Sequence, residues 1–442
     1  MAGSQTNWGV LLAPAGRGPK HEQLARALRQ AIRDGTLEDG VAVPPSRQLA
    51  ADLGCSRWVV TQAYAQLVAE GYLAGRTGSA TRVRHVGGAV AARERAHPAP
   101  PRYDLAPGLP DLRNFPRRPW AEAVREVLAT TPHTDFGLPE PGGHPRLRRV
   151  LGEYLRRVRG AAPGTVLVCG GVTDGVTGVC RALVERGRTR LAVEDPGWTR
   201  LRRAAEGAGM SVDPVPVDDE GIDVGRIPAG VRAVLVTPAH QFPTGTVLSP
   251  RRRAALLAWA RDVDGLILED DYDAEFRYDR RPVGTVQGTD PGRVALFGSV
   301  SKTLSPALGI GWAVLPPQWT VTARPPPVVD QLALAGFVES GGYDRYLRRA
   351  RLRYRARRDR LVAALGPARL SGAAAGLHLV LHLDHDAAAV VRQARRNGVK
   401  VTDLDDYRTA AGEPALVLGY GNLADTGVET AARLLRQAMT TA

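Results

Sequence analysis

The sequence predicts a two-part α/β chain. A short module of three helices and a two-strand hairpin comes first. A long region follows, with a mostly parallel sheet between helices and a smaller C-terminal α+β part. Three observations predict this. Residues 20 to 84 carry helical apolar spacing closed by glycines. The stretch from His85 to Arg102, HVGGAVAARERAHPAPPR, has no period and reads as a linker. From Thr165 onward, TVLV, RLAVED, RAVLVTP, GLILED, RVALFGS and GWAVLP alternate with helical stretches, the pattern of a sheet covered on both faces. The boundaries expected are 1–84 for the module and 103–442 for the remainder, whose larger part spans about 130–320 and smaller part about 325–442.

Composition bounds the function classes. The 442 residues are 44% hydrophobic and 24% charged, ordinary globular usage that excludes a disordered or collagen-like chain. Cys55, Cys169 and Cys180 are odd in number and lack metal-ligand spacing, so neither a disulfide framework nor a zinc site is expected. Apolar runs such as Ala233 to Val236 and Gly265 to Leu268 are far short of a membrane span, and no basic-then-apolar leader is seen; a soluble cytoplasmic chain is the expectation. The net charge of +14 suits a polyanionic partner. Only three of the 59 basic residues are lysines, Lys20, Lys302 and Lys400, so part of the excess is a general replacement of lysine by arginine.

In the module, Leu24, Leu28 and Ile32 fall on one face of a helix closed by Gly35. Pro45 and Ser46 open a second helix, with Leu49 and Leu53 inward and Gly54 ending it. Ser56 caps a third, whose buried stripe is Val59, Ala63 and Leu67 and whose end is Gly71. Tyr72-Leu73 and Thr81 to Val83 flank a tip from Gly75 to Ser79, making a wing. A helix that enters a major groove needs cations and hydroxyls near its N-terminal turn, and Arg47, Ser56, Arg57 and Thr61 are placed for that. Any one arginine in so arginine-rich a chain reads equally well as solvated surface; the complete arrangement is what points to DNA.

VPPSRQLAADLGCSRWVVTQAYAQLVAEGYL followed by RTGSATRV resembles the winged helix-turn-helix of GntR-type transcription regulators across residues 20 to 85. The resemblance implies that Arg47 and Arg57 contact DNA, that Ser56 and Thr61 support the recognition helix and that Gly78 lies in the wing. Ser46 and Trp58 complete the expected contact set. Trp58 and Val59 depart from the family, which usually carries small polar residues there.

In the long region, GSVSKTLSP (298 to 306) follows an expected strand and places Lys302 in a Ser/Gly-rich turn. A lysine there can form a Schiff base with an aldehyde cofactor, and Ser299 and Ser301 can hold a phosphate. Asp270 and Tyr272 end the run GLILEDDYD at a strand's carboxyl end, where ligands gather. A carboxylate beside a pyridine nitrogen keeps it protonated, and a phenol can bond the ring oxygen. Singly, these residues read as a loop lysine, a helix cap and a core aromatic. Together they suit pyridoxal 5′-phosphate.

LAPGLPDLRNFP, VEDPGWTR, TPAHQFPTG, LEDDYDAEFRYD and SKTLSP resemble, in order, the aminotransferase-like domain of MocR-type regulators over residues 103 to 442. That family joins a GntR-type head to a domain with the fold of type I pyridoxal phosphate aminotransferases. The resemblance implies that Lys302 bonds the cofactor aldehyde, Asp270 the pyridine nitrogen, Tyr272 the ring oxygen and Ser299 the phosphate. Arg200, with Trp198 beside it, is implied as a clamp for an effector carboxylate, and a homodimer on an operator duplex is the family's assembly. The turn CGGVTDG, with Gly171, Val172 and Thr173 at a helix start, offers backbone N–H groups to the phosphate.

Several departures bear on chemistry. Gly309 stands seven residues after the lysine, where the family normally has a phosphate-pairing arginine, and Val172 brings no hydroxyl to the phosphate turn. Phe242 stands where aminotransferases usually have asparagine, Trp198 replaces a common tyrosine, and ALVLGYGN lacks a carboxylate-binding arginine. The expectation is therefore a regulator governed by pyridoxal phosphate or by an amino compound reacting with it. Two alternatives stand beside it: an aminotransferase with an appended DNA-binding module, and a regulator that has lost its cofactor and senses another ligand. The arginine-rich helix from Tyr346 to Leu365 is expected to be solvated, and His240 and His378 to be structural or pocket-lining.

Overall fold

The computed structural model describes residue 8 and residues 18–75, 80–84, 101–278, 283–372 and 374–441. Gly78 and most of the expected linker, residues 85–100, lie outside the described residues. The chain forms two compact units, Met1–Pro98 and Ala99–Ala442.

In the first unit α1 (Lys20–Arg33), α2 (Ser46–Asp52) and α3 (Arg57–Ala69) pack around Leu24, Leu28, Leu49, Val60, Ala63 and Leu67. Leu53 is only half-buried. Gly54, at φ 58°, turns the chain between α2 and α3 in a conformation that a Cβ would strain. Ser56 does occupy the N-cap of α3 in extended conformation, but its side chain makes no capping bond. Tyr64 pins the loop before α2 by donating its hydroxyl to the Pro44 carbonyl at 2.9 Å. The hairpin is β1 (Leu73–Ala74) against β2 (Arg82–Val83), antiparallel, beginning one residue later than the apolar pattern suggests. Tyr72 is instead held at the end of the helical bundle, where its hydroxyl accepts from Arg33.

The second unit opens with β3 (Tyr103–Asp104), α4 (Arg117–Thr130) and α5 (Pro145–Arg159). Its sheet comprises β4 (Thr165–Cys169), β5 (Arg190–Asp195), β6 (Ser211–Asp218), β7 (Gly221–Ile222), β8 (Ala233–Val236), β9 (Leu266–Asp270), β10 (Val294–Ser299) and β11 (Gly311–Leu315). The strand order is β4-β11-β10-β9-β8-β5-β6-β7. Pairing is parallel from β10 through β6; β11 runs antiparallel to both neighbours, and β7 antiparallel to β6. The link from β10 to β11 is too short for a crossover helix, which forces that reversal. Strands β8 to β11 are buried throughout, as a sheet covered on both faces requires. Helices α6 (Val172–Glu185), α7 (Thr199–Gly207) and α8 (Pro250–Asp262) lie between the strands in sequence.

The smaller part follows α9 (Val328–Glu339) and α10 (Gly342–Leu365). Its sheet orders β12 (Leu370–Ser371), β13 (His378–His382), β16 (Ala415–Gly419) and β15 (Thr402–Asp403), with α11 (Ala387–Arg396) and α12 (Val428–Thr441) completing it. β14 (Val399–Lys400) pairs with β3 and ties the start of the unit to this part. The arginine-rich helix α10 is not simply solvated. Arg357 is 1% exposed, bonds Asp111 and Asp425 at 2.8 Å each, and donates to the carbonyls of Tyr420 and Gly421. Arg348, Arg349, Arg355 and Arg360 do face outward.

Candidate functional site

The carboxyl ends of the parallel strands and the start of α6 enclose a cavity of about 430 Å³. Every residue that the sequence assigns to cofactor or effector lines it: Gly171, Val172 and Thr173 from the start of α6, Trp198 and Arg200 after β5, Asp270 and Tyr272 after β9, and Ser299, Ser301 and Lys302 after β10. Each lies at a strand end because a parallel sheet buries its strand interiors and leaves only the tips to face a ligand.

Lys302 donates from Nζ to the Gly108 carbonyl at 2.6 Å and stands 5.2 Å from the centre of the Trp198 ring. Burial holds its ammonium below the usual lysine range, against the pull of Asp270 and Asp273. Asp270 is 6% exposed, and its Oδ1 has no hydrogen-bond partner. Burial, with Asp271 beside it, pushes its carboxyl up to about 8. A buried acceptor left unpaired is costly, and a cationic N–H donor is the group that relieves it. The neighbouring Asp271 is already neutralised by Arg159 at 2.7 Å.

At one end of the cavity α6 starts from Gly171 at φ 141°, and a Cβ on Gly311 would fall 2.6 Å from the Gly171 Cα. Glycine at both places lets the start of β11 pass this close to the start of α6 beside the cavity. Ser299 is buried, and its hydroxyl accepts from the Ser301 amide at 3.3 Å. Gly309 sits at φ 57°, and a Cβ there would have the Gly170 carbonyl as its nearest neighbour, at 3.9 Å. An arginine at that position would therefore start at the rim of the same turn. These residues fit pyridoxal phosphate: a lysine, an unpaired carboxylate, a phenol and a backbone cradle share one cavity. Arg200 is the one guanidinium among the described lining residues.

The fold adds contacts that spacing in the sequence does not show. His240 Nδ1 lies 3.0 Å from Asp273 Oδ2 and 3.1 Å from the Tyr272 hydroxyl, with His240 and Asp273 buried and Tyr272 half-buried at the cavity. His378 lines the cavity, as expected, with its ring 4.9 Å from that of His240 and its Nε2 at 3.1 Å from the Pro243 carbonyl. Burial holds its imidazole well below the ordinary range. His240 thus has a partner that its lack of spaced neighbours concealed. A Cβ on Gly376 would come within 2.2 Å of His240, so only glycine lets this knot pack. Tyr407, from the smaller part, carries no sequence signal. It stacks on Trp198 at 5.9 Å and 13° and meets Phe242 edge-on at 4.9 Å. Its carbonyl accepts from the Gly197 amide at 2.8 Å, and Asp195 takes the Thr409 amide at 2.9 Å. One wall of the cavity is thereby fastened to the smaller part.

In the first unit Arg47, Ser56, Arg57, Trp58 and Thr61 are exposed and Ser46 is half-buried. Arg57 Nε lies 3.4 Å from the Ser46 hydroxyl, joining α2 to α3, and Thr61 donates to the Arg57 carbonyl at 2.9 Å. Val59, in contrast, is 9% exposed and belongs to the core.

The two units define a class: a DNA-binding head on an aminotransferase-like body. The family of bacterial regulatory proteins of the gntR type matches residues 20–83, and that of class I and II aminotransferases matches residues 104–414. The chain is 34% identical to the pyridoxine biosynthesis transcriptional regulator PdxR of Corynebacterium glutamicum, covering 90% of this chain and 91% of that one. It is 33% identical to the probable rhizopine catabolism regulatory protein MocR of Rhizobium meliloti, over 92% and 90% of the two chains. The chain belongs to the MocR-type GntR family, and it is a helix-turn-helix transcription regulator. An archaeal alanine:glyoxylate aminotransferase shares the fold of the body, with a TM-score of 0.69 and 24% identity over 77% of this chain and 91% of that one. Among the described residues no helix is long and apolar enough to cross a membrane.

Proposed function

We propose that the body holds pyridoxal 5′-phosphate through Lys302, and that the cofactor, or a small amino compound reacting at it, sets the affinity of the head for its operator. The active form in this reading is a cytoplasmic homodimer. The observation that carries the reading is the buried, unpartnered oxygen of Asp270 in the cavity that also holds Lys302. A carboxylate placed there asks for a cationic ring nitrogen. When bound, the cofactor supplies an electrophilic aldehyde carbon and an electron-withdrawing ring.

The chain's residues supply the rest. Burial lowers the Lys302 ammonium from the usual lysine range, the direction that a nucleophilic amine needs. Asp270 would hold the ring nitrogen, and the Tyr272 hydroxyl, itself held by the His240–Asp273 pair, would meet the ring oxygen. The first-turn amides of α6, with Ser299 and Ser301, receive the phosphate, and Arg200 is left for an acid group on the effector. A signal requires unequal binding to two states of the protein, because an effector bound equally by both shifts nothing. The Trp198–Tyr407 stack joins the cavity wall to the smaller part, the element whose position such an effector would bias.

The departures favour sensing over turnover: Phe242 brings no polar group to the ring, and the end of β16 brings no cation for an α-carboxylate. The test is the absorption spectrum of the purified chain with added pyridoxal phosphate. A visible band is expected that is missing in Lys302→Ala. An identical spectrum in that variant overturns the covalent reading, no band in either favours a regulator that has lost its cofactor, and steady turnover of an amino donor with an oxo acid favours an enzyme.

A further inference from the structure

Among the described residues of the head, Trp58 is the large apolar side chain that its core leaves most exposed. Trp58, in the first turn of α3, is 60% exposed, and the one ring it meets among the described residues is His21, edge-on at 5.4 Å. Its exposure is not an accident of a loose helix. The next two residues, Val59 and Val60, are buried in the core, and Trp58 alone of the three apolar residues at 58–60 points outward.

Its surroundings identify what it faces. Arg57 and Arg47 are exposed on either side of the α2–α3 turn, Ser46, Ser56 and Thr61 add hydroxyls, and neither α2 nor α3 has an acid in its first turn. Cations, hydroxyls and a helix N-terminus suit phosphates and polar base edges. An indole offers a phosphate a single N–H, whereas its broad apolar face needs an apolar group to cover it. The major groove offers one, the C5-methyl of thymine.

We propose that Trp58 reads a thymine methyl, so that the operator of this regulator carries a thymine opposite the start of α3. The inference rests on the DNA-binding head and is independent of the cofactor. It also gives the departure at position 58 a consequence: a small polar residue there would hydrogen-bond a base or phosphate, whereas tryptophan exchanges that bond for a contact that only one of the four bases provides.

The test begins with a duplex selected by the full chain from a random-sequence pool. Each thymine is then replaced singly by deoxyuridine, which removes the methyl and keeps the pairing. At one such position the wild type is expected to lose about fourfold in affinity, the worth of one buried methyl. Trp58→Ala should bind the parent duplex more weakly and be indifferent to uracil at that position. Trp58→Leu, which keeps an apolar group and leaves the α3 core untouched, should keep part of the preference. Two results overturn the proposal: a Trp58→Ala chain that binds as tightly as wild type, or one whose loss is equal on thymine and uracil duplexes at every position. The second would place Trp58 against the sugar-phosphate backbone or a protein surface.

Discussion

The head and the body solve the same problem, presenting a few polar groups to a ligand, at opposite ranges of sequence. Apart from Gly78, expected in the wing, the DNA contacts proposed for the head lie within residues 46 to 61, on two successive helices whose core is local. The body's set spans Gly171 to Lys302 and is brought together only by the order of the sheet, in which β4 sits beside β11 and β5 beside β8. The difference teaches where damage spreads. A change in the head alters one contact, whereas a change in the body disturbs a buried electrostatic network whose members hold one another in place: Asp270 beside Asp271, Asp271 on Arg159, Asp273 on His240 and His240 on Tyr272.

The largest effect should come from that network in the absence of cofactor. The carboxyl of Asp270 is raised from 3.8 to about 8 by burial. Its raised value favours the protonated native state. The stability it contributes is complete below about pH 4 and is lost as pH rises through about 8. Each unit of such a shift is worth about 1.4 kcal/mol, so several kcal/mol are at stake as an upper bound. Asp270→Asn cannot ionise. Without cofactor the variant should melt several degrees above wild type at pH 8.5 and close to it at pH 4, while binding pyridoxal phosphate more weakly. Melting curves across that pH range check it; equal curves at pH 8.5 would mean that the buried carboxylate is already compensated. His240→Ala comes next. It leaves Asp273, 1% exposed, without its imidazole partner, and a cost of roughly 3–5 kcal/mol is expected. The loss should appear in the melting of the body and leave the transition of the head in place. A shift of both would show the two units to be energetically coupled.

The contrast also explains what could be read from the sequence. The head's helices were legible because each has its own apolar stripe and a glycine at its end. The hairpin's start was misjudged by one residue because Tyr72, a good strand former, is claimed by Arg33 on α1. The cavity's residues were legible one by one, since each ends a β-rich run, and the scarcity of lysine singled out Lys302. What was not legible was pairing across the fold. Nothing in the spacing joins His240 to Asp273 or brings Tyr407 from the smaller part onto Trp198. The same holds for Arg357, which looks like one more surface arginine in a row of them and is the buried partner of Asp111 and Asp425.

The head supplies the intermediate effect. Arg57→Ala removes one exposed cation whose side-chain bond among the described residues is to Ser46, so the fold should be kept and operator affinity should fall about tenfold, the lower end of a charged contact at ~1–3 kcal/mol. If the contact is to phosphate, the slope of log affinity against log salt should become shallower by about one. An unchanged slope with weakened binding would move Arg57 from the backbone to a base edge. Unchanged binding would remove it from the interface.

The smallest effect, and the one that most sharpens the comparison, comes from restoring a charge to the body. Gly309→Arg adds a guanidinium whose Cβ would begin 3.9 Å from the Gly170 carbonyl, at the rim of the phosphate turn. A charge-assisted pair with phosphate contributes about 1.5–3 kcal/mol. The backbone at φ 57° opposes it, because any side chain in the left-handed region costs roughly 1–2 kcal/mol. That cost is carried by the free and the bound chain alike, so it falls on folding and not on affinity; the expectation is a gain in pyridoxal phosphate affinity of about tenfold, the lower end of the pair's contribution, read from the visible band as cofactor is titrated. It should come with a slightly lowered melting temperature before cofactor is added. Tighter binding without that loss would mean that the loop after Pro306–Leu308 relaxes to accept a side chain. A lower melting temperature with no gain in affinity would mean that the phosphate sits elsewhere, with Arg200 as the remaining guanidinium in the cavity to receive it.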